Sequence, residues 1–129
     1  MTQVRFAPAT NSADWQVTGV VRDAYSGDVV DLTDCSIKIV LQMSDGHTYP
    51  DYGNYWRYAD APALSGSTDD GTVTIPDPEN GVVQWLFRAT QMGTLCAGFY
   101  DVGALMQRDG ATTQVFLGTL PVRNGIARP

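Results

Sequence analysis

Covalent catalysis needs a nucleophile with a base beside it, and the chain offers one histidine, His47, in the turn-like stretch "DGHTYP". No Gly-x-Ser-x-Gly elbow accompanies it, so His47 is read as a loop histidine rather than a triad member. Cys35 and Cys96 are the two cysteines. They lack the Cys-x-x-Cys spacing of a zinc or redox site and are expected to be buried free thiols. Carboxylates pair at Asp69-Asp70 and at Asp77 with Glu79. Facing carboxyls can cleave glycosides or hold calcium, but both pairs lie in turn sequences, where Asp caps backbone amides. No His-Glu-x-x-His helix and no glycine-rich phosphate loop occurs. The expectation is a protein that is not an enzyme and uses no metal or cofactor.

Aromatic residues are the better candidates for function. Tyr49, Tyr52, Tyr55, Trp56 and Tyr58 crowd into the segment 44–66, among Gly, Pro and Asp. Tyrosine and tryptophan give rigid contact area with one polar end, which suits a protein interface or stacking on sugar rings. The same residues could instead cover the end of a β-sandwich beneath a long loop. Trp15 and Trp85 alternate with polar neighbours and are read as core.

Most of the elements that must carry these residues read as strands. Trp15, Val17, Gly19 and Val21 alternate with Gln16, Thr18, Val20 and Arg22, a two-residue period expected to end at Asp23. Cys35, Ile37, Ile39, Leu41 and Met43 alternate with Ser36, Lys38, Val40 and Gln42 in the cleanest strand of the chain. Val73 and Ile75 lead to "PDPENG", where Asn80-Gly81 suits the positive φ angles of a tight hairpin, and "VVQWLFR" follows as the partner strand. Residues 89–95 have helical spacing for a turn or two. "FYDVGALMQR", Asp109-Gly110 and "TTQVFLGTLPVR" form a closing hairpin, with Tyr100, Val102, Ala104 and Met106 on one face and Phe116 on the return. Residues 1–13 show no period and are expected to be an extended arm that a partner would order. Residues 14–129 are then a single domain, an all-β immunoglobulin-like antiparallel β-sandwich of about seven strands at roughly ten-residue spacing.

Composition agrees. The chain has 129 residues, 43% hydrophobic and 17% charged, with 13 glycines and 7 prolines, which fits one turn-rich globular domain. A net charge of −6 argues against nucleic acid as a partner. No apolar run approaches the ~18 residues of a membrane span and no leader pattern opens the chain, so a soluble protein made in the cytosol is expected, with no membrane insertion.

"LCAGFYDVGALMQRDG", residues 95–110, carries a second structural signal. In immunoglobulin-like sandwiches a tyrosine at the start of the second-last strand folds back to bond the backbone a few residues upstream. Here Leu95 would plug the core, Gly98 would let the chain bend, and Tyr100 would be the pin. Antibody domains place a cysteine two residues after that tyrosine, where this chain has Val102, so the inter-sheet disulfide is absent from the pattern.

The order of Trp15, Asp31-Leu32-Thr33, Asp70-Gly71, Gly98-Phe99-Tyr100-Asp101 and Gly118-Thr119-Leu120 resembles the immunoglobulin-like domains of tailed-bacteriophage virion proteins, such as the amino-terminal domains of baseplate upper proteins and head-fibre or tail accessory proteins. The resemblance spans residues 14–123, with Asp34 where that family often has glycine and Phe99 where it often has tyrosine. It implies a structural protein of the virion, made in the host bacterium. Such a protein would dock on the tail, on a fibre attachment or on the capsid surface as a decoration, in many symmetric copies, with other virion proteins as partners. The alternative is a carbohydrate-binding module that uses the 49–58 aromatics to hold a host glycan.

Overall fold

A computed structural model describes residues 2–23, 25–44 and 63–126. The chain is all-β and forms a two-sheet sandwich. Its strands are β1 (Thr2–Arg5), β2 (Ala9–Thr10), β3 (Trp15–Val20), β4 (Ser36–Met43), β5 (Leu64–Ser67), β6 (Val73–Asp77), β7 (Val82–Phe87), β8 (Gly98–Arg108) and β9 (Ala111–Arg123), with one helical turn, α1 (Ala89–Met92). The larger sheet runs β1-β9-β8-β4-β5, with β2 also on β9; the smaller runs β3-β7-β6.

Alternation explains which side chains meet. Ile37, Ile39 and Leu41 of β4, Tyr100, Val102 and Ala104 of β8, and Phe116, Leu120 and Val122 of β9 turn inward from the larger sheet. Trp15 of β3, Val83, Trp85 and Phe87 of β7, and Val73 of β6 face them from the smaller one. Aromatic rings dominate the seam. Trp15 stacks on Phe87 with centroids 6.0 Å apart, and Trp85 stacks on Phe116 across the sheets at 5.6 Å. Phe6 stands edge-on to Trp15 and Trp85 at 5.5 and 6.0 Å, the offset geometries that ring quadrupoles prefer.

Phe6 belongs to the segment expected to be an arm awaiting a partner. The partner is the chain's own last strand. Val4 pairs in parallel with Gly118, Ala9 with Val122, and the Phe6 amide donates to the Thr119 carbonyl at 3.1 Å. Only Val4 and Phe6 carry apolar weight before Pro8 breaks the run, too few positions to show a period, yet their contacts are long-range and decisive. With these two short strands the sandwich has nine strands among the described residues, where about seven were expected.

Local details also differ from expectation. β3 ends at Val20: Val21 still donates to the Gly81 carbonyl, but the Gly81 amide turns to Pro78 and the Val21 carbonyl accepts from Val30. The β6–β7 turn is a 3-10 turn, Pro78–Asn80, in which Gly81 alone is left-handed at φ 69°. Pro78 at the start of that turn favours helical φ and displaces the two-residue hairpin that Asn80-Gly81 suggested. At the β8–β9 tip, by contrast, Asp109 and Gly110 both have positive φ, 52° and 82°.

Gly118 makes the seat for the first strand. A Cβ there would lie 2.7 Å from the Val4 carbonyl oxygen and 2.8 Å from Phe6 Cε2, whereas one at Gly103, on the outer face, would meet its neighbours at 3.5 Å and beyond. Gly118→Ala is therefore expected to lower unfolding free energy by ~1–3 kcal/mol through overpacking. Gly103→Ala should be neutral, or stabilising by up to ~1 kcal/mol through reduced unfolded-state entropy. Urea unfolding of the two variants against wild type reads the difference.

Candidate interaction surface

Three places gather the residues singled out by type and spacing. The first is the corner before β8. Met92 and Leu95 are buried at the end of α1, and the chain then turns through Gly98, whose φ of 154° is one that L side chains rarely adopt. Tyr100, 1% exposed, donates its hydroxyl back to the Cys96 carbonyl at 2.8 Å. Burial, reinforced by the charge of the neighbouring Cys96 sulfur, holds the Tyr100 phenol above its usual value of 10.0. The contact joins the helical turn to β8, so the corner is an anchoring device with its one polar group satisfied internally.

The second place lies at the β8–β9 tip. Arg108 donates to Cys35 Sγ from Nε at 3.0 Å and from Nη2 at 2.8 Å, and Nη2 also donates to the Asp31 carbonyl. The hydrogen bond to Cys35 comes first among the causes that push the Arg108 guanidinium above its ordinary value. Neither cysteine is buried, contrary to expectation: Cys35 is half-buried under Arg108 and Cys96 is exposed. Cys35 precedes β4 and so escapes the inward alternation of Ile37 and Ile39; Cys96 sits in the turn, where its backbone rather than its thiol is used. The alternation is visible in sequence, but no sequence signal joined Arg108 to Cys35, 73 residues away.

The third place is the acidic turn after β5. Asp70 Oδ1 accepts the Ser67 and Thr72 amides at 3.1 and 2.8 Å. Hydrogen bonds from Thr72 hold its carboxyl below the ordinary value of 3.8. Asp77 Oδ2 accepts from Asn80 at 2.8 Å. These carboxylates brace turns, and among the described residues no group of three or more His, Cys, Asp or Glu could hold a metal ion.

Between these places lies the outer face of the larger sheet. Phe99 is 64% exposed beside Pro121. Val40, Leu105 and Leu117 are half-buried around Gly103, which presents no side chain. A shallow groove of about 510 Å³ runs past Arg5, Asp101, Leu117 and Thr119. The arrangement offers contact area and isolated charges, the ingredients of an interface. His47 and the aromatics Tyr49, Tyr52, Tyr55, Trp56 and Tyr58 lie outside the described residues.

No family model matches the chain, and no curated protein matches it in sequence.

Two measurements test these assignments. Raised above its unfolded value, the Tyr100 phenol contributes stability that is complete below pH ~10 and is lost as pH rises through the folded-state pKa. Tyr100→Phe should cost about 1 kcal/mol at neutral pH and remove that part of the alkaline decline in a pH series of thermal melts. Asp70 has the opposite sign. Its depressed carboxyl contributes stability above pH ~4 that is lost as pH falls through the folded value, so Asp70→Asn should flatten the acid limb of stability measured by urea unfolding between pH 2 and 6.

Proposed function

We propose that the chain is an immunoglobulin-like attachment module of a tailed-phage virion, non-enzymatic, which docks through its surface on a tail, fibre or capsid protein. The observation that supports the immunoglobulin-like part of the reading is the pairing order. β8 lies between β9 and β4, β7 between β3 and β6, and the first strands run parallel on the last. In immunoglobulin terms β3, β7 and β6 take the places of strands B, E and D; β9, β8 and β4 take those of G, F and C. The Tyr100 hydroxyl bond to Cys96 supports the same reading, since it is the corner such sandwiches use.

Asp34, at φ 60°, occupies a left-handed position after Asp31-Leu32-Thr33. Glycine takes that backbone conformation most easily and Asp tolerates it, so the departure from the phage pattern at this position is a compatible one. The outer face supports docking because it sets the exposed Phe99 and the half-buried Leu105 and Leu117 among isolated charges. Fold carries the assignment of architecture, and the order of motifs carries the assignment to a virion.

Immunogold electron microscopy of purified virions from the phage or prophage that encodes the chain tests the reading. Label on the tail or head is expected. Particles that lack the protein, by label and by mass spectrometry of their components, would overturn it.

A further inference from the structure

Among the described residues four strand edges limit the two sheets, and three of them are built to refuse a further strand. β6 carries Pro76 and Asp77 with a register shift between Thr74 and Asp77. β5 is only four residues long. β1 and β2 are interrupted by Pro8 and carry Arg5. Charge, proline, bulges and brevity are the devices that blunt an edge. β3 has none of them: its six residues, Trp15–Val20, hold no charge and no proline. Among the described residues its far side pairs with no strand.

The hydrogen-bonding groups on that side follow from the ladder. Val21 donates to Gly81, and Val21 and Gly81 continue the register in which Val20 faces Val82. Odd-numbered residues of β3 thus bond to β7, and the N–H and C=O groups of Gln16, Thr18 and Val20 point outward.

We infer that β3 pairs antiparallel with β3 of a second copy about a two-fold axis through Thr18, joining two three-stranded sheets into one of six strands. A second copy is the occupant because the edge is complementary to itself in this register. Gln16 falls opposite Val20 of the other copy, and Thr18 opposite Thr18, each pair through outward-pointing backbone groups. Val17 falls opposite Gly19, where a Cβ would meet nothing within 4 Å, so the half-buried Val17 side chain enters space that Gly19 leaves open. This is the close, non-hydrogen-bonded kind of pair, in which side chains approach most nearly.

Charge completes the match. One residue beyond Trp15 stands Asp14 and two beyond Val20 stands Arg22, both exposed, and this register sets Asp14 of each copy opposite Arg22 of the other. Asp14 uses Oδ1 to accept the Ala89 amide at 2.7 Å, with Oδ2 3.8 Å from the exposed Arg88. Arg22 donates Nη1 to the Gly27 carbonyl at 3.1 Å, and its guanidinium has further donors. A shift of the register by two residues loses both the Val17–Gly19 fit and the charge pairs.

An edge of six residues buries less than the ~1,200–2,000 Å² of a stable complex. The dimer is accordingly weak in dilute solution and becomes effective where copies are held close together, as repeated docking on a particle would do. The pairing does not require the virion assignment, since the edge exists whatever the protein attaches to.

Sedimentation equilibrium of the full chain up to ~1 mM, a range that detects millimolar association, is the test. Wild type is expected to form a concentration-dependent dimer. Thr18→Lys and Thr18→Asp, each exposed on the outer face and each setting like charges together on the axis, should be monomeric alone with unchanged circular dichroism. An equimolar mixture of the two should recover the dimer, which a merely damaged fold would not do. A wild-type monomer throughout, single variants that dimerise like wild type, or a mixture that stays monomeric would overturn the inference.

Discussion

The seam of rings between the two sheets is the constraint on which the rest of the structure depends. Phe6, Trp15, Trp85, Phe87 and Phe116 come from four separate parts of the chain and meet within about 6 Å of one another in stacked and edge-on pairs. Each ring buries a large apolar area, and together they hold the two sheets against each other while both cysteines stay free. The seam also sets the path of the backbone. β1 must cross onto the larger sheet to deliver Phe6, and Gly118 must lack a side chain to let it in. The Trp85 indole nitrogen is buried without a hydrogen-bond partner among the described residues. Leaving such a donor unpaired costs ~1–3 kcal/mol, so ring packing at this position outweighs a polar loss.

Around the seam, polar side chains do the joining. Buried Asn11 donates to the Leu95 carbonyl at 3.1 Å and to Asn124 Oδ1 at 3.0 Å, and accepts the Gly125 amide at 3.0 Å. One amide side chain thereby ties the start of the chain, the corner before β8 and the end of β9. Arg108 performs the same service at the opposite end of the β8–β9 hairpin through Cys35 and Asp31. A surface fixed at both ends holds its side chains with little conformational freedom.

Sequence legibility followed the range of the interactions. β4 was readable because Ile37, Ile39 and Leu41 announce an inward face by strict alternation, and the β8–β9 tip because Asp109-Gly110 has one favoured conformation. The corner residues were readable because Leu95, Gly98 and Tyr100 act within six positions of one another. β1 and β2 were not: four and two residues separated by Pro8 carry no period, and their parallel pairing with β9 spans more than a hundred positions. Asn11 and Arg108 were missed for the same reason, since a single polar residue in a turn-rich sequence gives no sign of a distant acceptor. The exposure of Cys35 turned on a strand bound one residue wide, a scale that periodicity does not resolve, while Cys96 sits in the turn before β8.

The claim that the amino-terminal strands are structural members of the sandwich is tested most directly by amide hydrogen exchange, residue by residue, in the native protein. The Phe6 amide bonded to Thr119 and the Asn11 amide bonded to Arg123 should exchange slowly, with protection approaching that of Val102 in β8. Exchange at Phe6 and Asn11 at the rate of an unstructured chain, with β8 still protected, would contradict the account: the seam would then close without Phe6, and the segment would be a loose arm.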